Sequence, residues 1–345
     1  MVSISPYVTF KGIAIGVLLG VSNQSDFAYY ILDLPLPRCK SSVFQSGGNF
    51  MTNNASFSLQ DALKDRVVIV TGAGKGIGRA ACRHMAQTGA KVLVNNRRHP
   101  GESDAQTSAA QLVSLIRAEG GVAEANYDDV SDPQSGERMV QQALQTWGRL
   151  DMVYANAAIA QEASFHSLDV SQLLSIVNAG LVSTLSLFHA AWPVFRQQKY
   201  GRALASSSSA GRFGNHGLTA YSASKGAIES LVRSLALEGA HHGICCNALS
   251  PYALTQMTQS HLPENWAQLL TPESLAPTVA WLLSPECSIN GEVIVAGGGR
   301  YARAWQVETP AVKGGEVTEV WQDLSRLEGQ THRDSVSAFK SFMSE

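Results

Sequence analysis

The chain has 345 residues, of which 45% are hydrophobic and 16% are charged, so it can bury the core of one large folded domain or two small ones. Its formal net charge of -2, without any long run of Lys or Arg, argues against nucleic acid as a partner. The five cysteines show neither zinc-site nor disulfide spacing, which favours a reducing compartment, and we expect a cytoplasmic protein with no bound metal.

The first 58 residues differ in composition from the rest and are predicted to form a disordered leader or a targeting segment. Their apolar stretch, from Ile13 to Val21, is shorter than the roughly 20 residues that a membrane-spanning helix needs. We therefore expect no stable membrane span there. A signal peptide, and an enzyme anchored to a membrane by its first fifty residues, stay open as alternatives.

From residue 59 to residue 300, short β-rich runs alternate with longer helical patterns. We predict strands in RVVIVTG, KVLVN, GVAEANY, DMVYAN, GRALASS, GICCNAL and GEVIVAG, with helices between them over residues 77–88, 103–119, 134–147, 171–196, 220–238 and 274–283. Such alternation implies right-handed crossovers between parallel strands. The sequence predicts an α/β fold with a single doubly wound, Rossmann-type parallel sheet and helices on both faces, followed by a C-terminal helical extension over residues 301–345.

The segment TGAGKGIGR, residues 71–79, directly follows the first predicted strand and opens the first predicted helix. Glycine permits a tight turn and lets backbone amides approach a pyrophosphate at a helix N-terminus. The strand before the turn and the helix after it make this segment a candidate dinucleotide site. The residues predicted to contact the cofactor are Gly72, Lys75, Gly76, Ile77 and Gly78.

The second strand ends at Asn96, which is followed by Arg97 and Arg98. A site for NAD usually has a carboxylate here for the ribose 2′-hydroxyl, whereas the 2′-phosphate of NADP needs cationic donors. Because no acid occupies the position, we predict cofactor contacts from these three residues and favour NADP, with NAD as the alternative.

A pair of acids follows the third strand, and one of them is expected to accept a hydrogen bond from the adenine amino group. Either Asp128 or Asp129 could do so, and Asp129 is taken as the site residue, with Val130 against the adenine ring. This places the adenosine of the cofactor beyond the carboxyl ends of the second and third strands.

Tyr221 and Lys225 in the segment AYSASKGA stand one helical turn apart, so a phenol and an ammonium can serve one site. An ammonium about 4 Å away at an effective dielectric of about 20 favours the phenolate by roughly 4 kcal/mol, or about three pKa units, before the cost of removing both groups from water. We therefore predict that Lys225 lowers the pKa of Tyr221. The serine run 206–209 closes the fifth strand and could bring a hydroxyl to Tyr221, and Asn178 in the long helix could hold a water.

Together these motifs resemble the short-chain dehydrogenase/reductase family over roughly residues 63–299. The family's glycine motif is matched from Thr71 to Gly78. Its four catalytic residues match Asn178, Ser208, Tyr221 and Lys225. The resemblance implies that Tyr221 exchanges a proton with the substrate, Ser208 donates to the carbonyl oxygen, and Lys225 holds the nicotinamide ribose.

Two family motifs are matched only in part. The motif NNAG reads ANAA here, so that Asn156 is retained between alanines, and the PG that follows the sixth strand becomes Pro251 and Tyr252. By resemblance, Asn156 and Pro251 are expected to contact the cofactor. The two departures affect backbone contacts near the cofactor and leave the four catalytic residues intact.

Within the family, the segment from Gln198 to Trp305 looks like the (3R)-hydroxyacyl-CoA dehydrogenase units of peroxisomal β-oxidation enzymes, although Asn96 stands where those units have an acid. This implies hydride transfer between nicotinamide and a small-molecule carbonyl or secondary alcohol, with 3-oxoacyl or (3R)-hydroxyacyl thioesters as candidates. The family also implies a homodimer or homotetramer. The alternatives are a reductase of steroid-like or polyketide carbonyls and an NADP-binding regulator without turnover.

Overall fold

The computed structural model describes residues 62–258, 264–312, 320 and 323–343, and the predicted leader lies outside these residues. The strands are β1 (Val67–Val70), β2 (Lys91–Asn95), β3 (Val122–Asn126), β4 (Met152–Ala155), β5 (Gly201–Ser206), β6 (Ile244–Pro251), β7 (Val293–Gly297) and β8 (Arg300–Ala304). The helices are α1 (Gly76–Gln87), α2 (Ser108–Ala118), α3 (Ser135–Trp147), α4 (Val170–Val177), α5 (Ser183–Gln198), α6 (Ser209–Phe213), α7 (Thr219–Gly239), α8 (Glu264–Ala267), α9 (Ala276–Leu283) and α10 (Ser335–Met343).

These strands form one sheet in the order β3-β2-β1-β4-β5-β6-β7-β8, parallel except for β8. All four residues of β1 are buried, as expected for a parallel strand that is covered on both faces. Val68 and Val70 join a core cluster with α1, α2 and α9, whereas Val67 and Ile69 join a second cluster with α3, α5 and α7. Alternate residues of one strand thus face two helical layers, and the predicted doubly wound sheet is confirmed.

The strand order reverses between β1 and β4, which pair with each other although two strands intervene in the sequence. Ligands of such sheets bind beyond the carboxyl ends of the strands at this reversal. The glycine turn follows β1, and the ANAA segment begins at the last residue of β4. The fold therefore brings these two motifs to the same edge of the sheet.

The segment after residue 300 begins with strand β8 and contains helix α10 near its end, so the predicted helical extension is corrected for its first residues. Gly298 and Gly299, with φ angles of +56° and +73°, form the two-residue turn between β7 and β8. A two-residue hairpin turn of this kind requires positive φ at both positions, which glycine supplies without strain. The turn lets the chain fold back and cover the open edge of β7.

The predicted long helix over residues 171–196 is interrupted in its middle. Helices α4 and α5 are joined by a π-helical turn, Asn178–Val182, in one continuous helical run. By length and composition the run Val170–Gln198 could cross a membrane, but 39% of its most apolar window is buried inside the protein. Because it packs against α3, α7 and the sheet, its apolar character is weak evidence for a membrane span.

Candidate active site

The glycine turn after β1 has the backbone shape and the space that a pyrophosphate needs. Gly72 and Gly76 adopt φ angles of +61° and +54°, in the left-handed region that favours glycine. A Cβ atom at Gly78 would lie 2.7 Å from both the Asn156 side-chain nitrogen and the Gly72 carbonyl oxygen. Helix α1 begins at Gly76, and the side chain of its N-cap residue, Lys75, makes no capping hydrogen bond. The first amides of α1 can therefore serve an anionic ligand.

Asn156, which directly follows β4, holds this turn in place. Its side-chain amide donates to the carbonyl oxygens of Thr71 and Gly72 at 3.1 and 3.2 Å, and its backbone N–H donates to the Thr71 hydroxyl at 3.1 Å. Ala157 packs so closely that a Cβ atom at Gly72 would come within 2.8 Å of its Cα. Asn156 thus supports the turn, and its direct contact with the cofactor stays a prediction.

The carboxyl end of β2 presents neutral side chains where a ribose is expected. The Asn96 amide donates to the Ser108 hydroxyl at 2.9 Å. Ser108 also closes the space beside Gly74, where a Cβ atom would lie 2.2 Å from the hydroxyl oxygen. Asn95 is buried, and its Oδ1 atom has no hydrogen-bond partner among the residues described. A hydrogen-bond acceptor is therefore present at the strand end where the ribose is expected.

Arg97 and Arg98, the predicted phosphate donors, both form ion pairs on the surface. Arg97 Nη1 lies 3.3 Å from Asp129 Oδ2, and Arg98 pairs with Asp104. The two arginine side chains are 54% and 44% exposed, and such exposed pairs contribute little to stability. A phosphate could therefore compete for either guanidinium. The Asp129 carboxylate also accepts from the Ser131 backbone N–H at 2.9 Å, so the predicted adenine ligand already has partners.

Three of the four predicted catalytic residues meet where β5 ends and α7 begins. Lys225 Nζ lies 5.6 Å from the centroid of the Tyr221 ring, one helical turn earlier in α7. Ser208, the N-cap residue of α6, lies close enough to the Tyr221 hydroxyl to lower its pKa by hydrogen bonding. The Lys225 ammonium is buried and donates to the Ser206 carbonyl oxygen at 2.6 Å. A phenol, a hydroxyl and an ammonium thus share one site.

The predicted lowering of the Tyr221 pKa by Lys225 was wrong in direction. Burial raises the pKa of the Tyr221 hydroxyl above its ordinary value, and the hydrogen bond with Ser208 offsets only part of that rise. Burial also lowers the pKa of Lys225 to about 8. Removing both groups from water disfavours both charged forms, and for Tyr221 this cost outweighs the attraction of the neighbouring ammonium.

Asn178 lies in the π-helical turn, at the junction of α4 and α5. Two residues further on, Gly180 packs against α7 so closely that a Cβ atom would lie 2.4 Å from the Ser224 hydroxyl. The turn therefore lies beside the helix that carries Tyr221 and Lys225. π-Helical turns occur frequently at functional sites. The water-holding role of Asn178 stays a prediction.

Hydrogen bonds join the tyrosine–lysine pair to the glycine turn. The Ser206 carbonyl accepts from Lys225, and the Ser206 hydroxyl donates to Asn156 Oδ1 at 3.3 Å. Asn156 then donates to the Gly72 carbonyl oxygen at 3.2 Å. The Tyr154 hydroxyl, buried in β4, lies 2.9 Å from Ser206 Oγ. Neither Ser206 nor Tyr154 was predicted to have a role, although the serine run and its position at a strand end were the available signal.

The remaining predicted cofactor residues lie in packed positions around this edge of the sheet. Ile77 packs against the core cluster of α1 and α2, and Val130 packs against the cluster of α3 and α5. Pro251 ends β6 and is paired in register with Ala296 of β7. Their contacts with a cofactor stay predictions.

The fold and the site together define a class of protein. A doubly wound sheet with a glycine turn at its strand reversal, joined to a buried tyrosine–lysine pair, is the architecture of a dinucleotide-dependent oxidoreductase. The turn fits a dinucleotide, because Gly72, Gly74 and Gly78 leave no space for Cβ atoms and the N-terminus of α1 offers free amides.

Comparison with known proteins gives the family. A family model described as short chain dehydrogenase matches residues 66–266, more than half of the chain, so the protein belongs to the short-chain dehydrogenase/reductase family. A protein of Mycobacterium tuberculosis classed as a short-chain type dehydrogenase/reductase is 40% identical over 277 residues, which cover 77% of this chain and 96% of that protein. The family predicted from the motifs is confirmed.

Two further proteins extend this similarity. Peroxisomal multifunctional enzyme type 2 of Mus musculus is 40% identical over 236 residues, which cover 68% of this chain but only 32% of that enzyme. The crystal structure of a short chain dehydrogenase from Mycobacterium avium has a TM-score of 0.71 at 30% identity and covers 77% of this chain and 97% of that one. The predicted similarity to peroxisomal multifunctional enzymes is therefore also confirmed.

Proposed function

We propose that this protein is an NADP-dependent oxidoreductase that transfers a hydride between nicotinamide and a carbonyl or secondary alcohol, with Tyr221 as the acid/base. The proposal rests on the hydrogen bonds of Ser206 and Asn156: Ser206 accepts from Lys225 and donates to Asn156, and Asn156 donates to Gly72, so the tyrosine–lysine pair is held beside a dinucleotide turn. The runner-up is a regulator that binds NADP without turnover.

The residues of the site have separate tasks in this mechanism. A bound nicotinamide would give or take the hydride. Tyr221 donates a proton to the carbonyl oxygen in reduction and accepts it from the alcohol in oxidation. Ser208 donates a hydrogen bond to the same oxygen and stabilises the charge that develops there. Lys225 supplies a buried positive charge next to the phenol, and Asn178 holds a water through which the proton is replaced.

A mutation of Tyr221 separates the enzyme from the regulator. The Tyr221→Phe variant keeps the ring but loses the exchangeable proton, so NADPH binding should persist while carbonyl reduction falls by about 10²-fold or more. Binding would be measured by NADPH fluorescence and turnover by absorbance at saturating NADPH. NADPH binding by the unmodified protein, without turnover on a broad carbonyl panel, would favour the regulator.

The choice of NADP is supported by the neutral Asn96 and by the two arginines that follow it. Steady-state kcat/KM with NADPH and with NADH tests it in the unmodified protein, in Asn96→Asp and in the double variant Arg97→Ala with Arg98→Ala. Both changes should lower the preference for NADPH, because they add repulsion or remove cations at the 2′-phosphate. Arg117→Ala is a matched control, since Arg117 is 52% exposed and paired with Glu124. Equal use of both nucleotides by the unmodified protein would refute the choice.

Thioester substrates are supported by the similarity to peroxisomal multifunctional enzyme type 2 and by apolar side chains beyond the strands that end at the site. The residues Phe213, Tyr252, Met257, Trp266 and Leu269 are all at least 45% exposed. An apolar mouth of this kind suits an acyl chain or a cyclic ketone. Turnover of acetoacetyl-CoA, compared with that of a steroid ketone and a polyketide-like cyclic ketone, separates the two substrate classes. Faster turnover of the cyclic ketones would favour the alternative.

Self-association is part of the proposal. Helices α4, α5 and α7 carry the exposed apolar side chains Val170, Leu174, Leu185 and Leu237. A second copy that covers these helices would remove this apolar surface from water. Light scattering coupled to gel filtration should give the mass of a dimer or tetramer, and a monomer at working concentrations would refute this part.

A further inference from the structure

A buried ion pair lies directly behind the proposed catalytic residues and has no role in the mechanism above. Glu229, in α7, is 5% exposed, and its Oε1 atom lies 2.6 Å from Nη1 of Arg212 in α6. The two side chains are 6% and 13% exposed. A pair so deeply buried is costly to desolvate, and such pairs are weak evidence for stability. Their contacts therefore need another explanation.

The contacts of this pair all lead to the elements that carry the site. Glu229 Oε1 also accepts from the Ser207 hydroxyl at 2.6 Å, and Ser207 is the residue before Ser208. Arg212 Nη2 donates to the Ser250 hydroxyl at 3.0 Å, next to the end of β6. One carboxylate and one guanidinium thus join α7 to both sides of Ser208 and to a neighbouring strand.

Ser208 itself lies on a short element that needs external support. It caps α6, which has only five residues and packs directly on α7. A Cβ atom at Gly211 would lie 2.6 Å from the backbone nitrogen of Gly226, so the two backbones are in close contact. The position of the Ser208 hydroxyl over Tyr221 therefore depends on how α6 is held against α7.

We propose that Arg212 and Glu229 are positioning residues that fix the Ser208 hydroxyl against the Tyr221 phenol. The inference rests on the proposed function, because it assigns the pair to the geometry of the same reaction. The pair acts through Ser208: it fixes the residues on either side of Ser208, and it touches neither substrate nor cofactor. A misplacement of about 1 Å in such a group can lower turnover by about 10²-fold.

The test replaces both charges with apolar residues of similar size, in the double variant Arg212→Met with Glu229→Leu. Such a replacement is often neutral for stability, so the variant should keep its melting temperature. Its kcat for carbonyl reduction should fall by about tenfold to a hundredfold, while the Kd for NADPH changes by less than about twofold. In a Ser208→Ala background the same double change should cause no further loss, because the group that it positions is already absent.

If the pair were purely structural, the double change would lower turnover by the same factor with Ser208 present and with Ser208→Ala. That result would overturn the inference, and so would an unchanged kcat in the double variant. Asp151→Asn is the matched control, since Asp151 is a fully buried carboxylate with arginine partners at the opposite edge of the sheet. It should reduce stability without reducing kcat. If Tyr221→Phe stays active, the proposed function fails; if Tyr221→Phe is inactive and the double variant is active, only this inference fails.

Amide hydrogen exchange gives a second measurement that does not depend on turnover or on stability of the double variant. Glu229→Gln keeps an acceptor for Ser207 but removes the negative charge that faces Arg212. Exchange should rise in residues 207–213 and stay unchanged in β1 and α1. Unchanged exchange in residues 207–213 would overturn the inference.

Discussion

Replacing Lys225 with methionine should make the protein more stable at neutral pH while abolishing its activity. Burial lowers the pKa of Lys225 from 10.5 to about 8, so at pH 7 the folded protein holds an ammonium that water would hold more favourably. A difference of this size corresponds to about 3 kcal/mol of lost stability. The lysine also donates to the Ser206 carbonyl oxygen, and loss of that hydrogen bond costs about 1 kcal/mol. The expected net gain for Lys225→Met is about 2 kcal/mol.

The pH dependence of this gain has a definite sign. Between pH 8 and pH 10.5 the native protein has released the lysine proton while the unfolded chain still holds it. The unfolded state then binds more protons, so the stability of the unmodified protein rises with pH across this window. The advantage of Lys225→Met should be constant below pH 8, should vanish within this window and should reverse as the pH approaches 10.5, because the unmodified protein regains about 3 kcal/mol against a net gain of about 2 kcal/mol.

Urea unfolding without added nucleotide, followed by tryptophan fluorescence at pH 7 and at pH 9.5, measures both effects. Groups that titrate identically in the two proteins cancel in the difference. The reasoning fails if Lys225→Met is less stable than the unmodified protein at pH 7, or if the stability difference does not change with pH. Either result would show that burial of the ammonium does not destabilise the folded protein. Retained carbonyl reduction by Lys225→Met would contradict its role beside the phenol.

Three other predictions follow from single contacts. Gly78→Ala should weaken NADPH binding in a fluorescence titration, because its Cβ atom would lie 2.7 Å from the Asn156 side chain. Unchanged affinity would contradict the conclusion that the glycine turn fits a dinucleotide. Asp151→Asn should lower the free energy of unfolding by about 3 kcal/mol at pH 7. Burial raises the Asp151 pKa, but hydrogen bonds from Arg149, the Val67 amide and Arg66 lower it overall. The unmodified protein should therefore lose the stability that the Asp151 carboxylate contributes as the pH falls below 3.8. An equal acid sensitivity in Asp151→Asn would contradict this prediction. Gly299→Ala should cost about 1–2 kcal/mol in thermal unfolding, because its φ angle is +73° and no atom lies within 4 Å of the new Cβ, so backbone strain is the main effect.

The sheet and the glycine turn could be predicted because local patterns determine them. Buried parallel strands appear as apolar runs. A glycine-rich segment between a strand and a helix is typical of a dinucleotide-binding turn. The Tyr221–Lys225 spacing was equally informative, because residues four apart on a helix face the same side. The β7–β8 hairpin was missed, since three successive glycines permit many turns and the sequence does not say which one forms.

The pKa of Tyr221 and the roles of the serine run depend on tertiary structure. Burial, which the sequence does not report, reversed the direction expected from the charge of Lys225 alone. Ser206, Ser207 and Ser208 are identical in sequence but contact Asn156, Glu229 and Tyr221 respectively. Neither the partners nor the π-helical turn at Asn178 has a signature that a local pattern could reveal.

The hairpin that closes the sheet also limits how copies of this protein can meet. Its last strand, β8, carries Arg300 and Arg303, and its residues are largely exposed. Arg303 is paired with Glu292, so this edge carries charged side chains, and charged side chains on an edge discourage further strand pairing. Continuous extension of the sheet from one molecule into the next is therefore disfavoured at this end, which leaves the helical faces as the better surface for assembly and lowers the risk of fibrous aggregation.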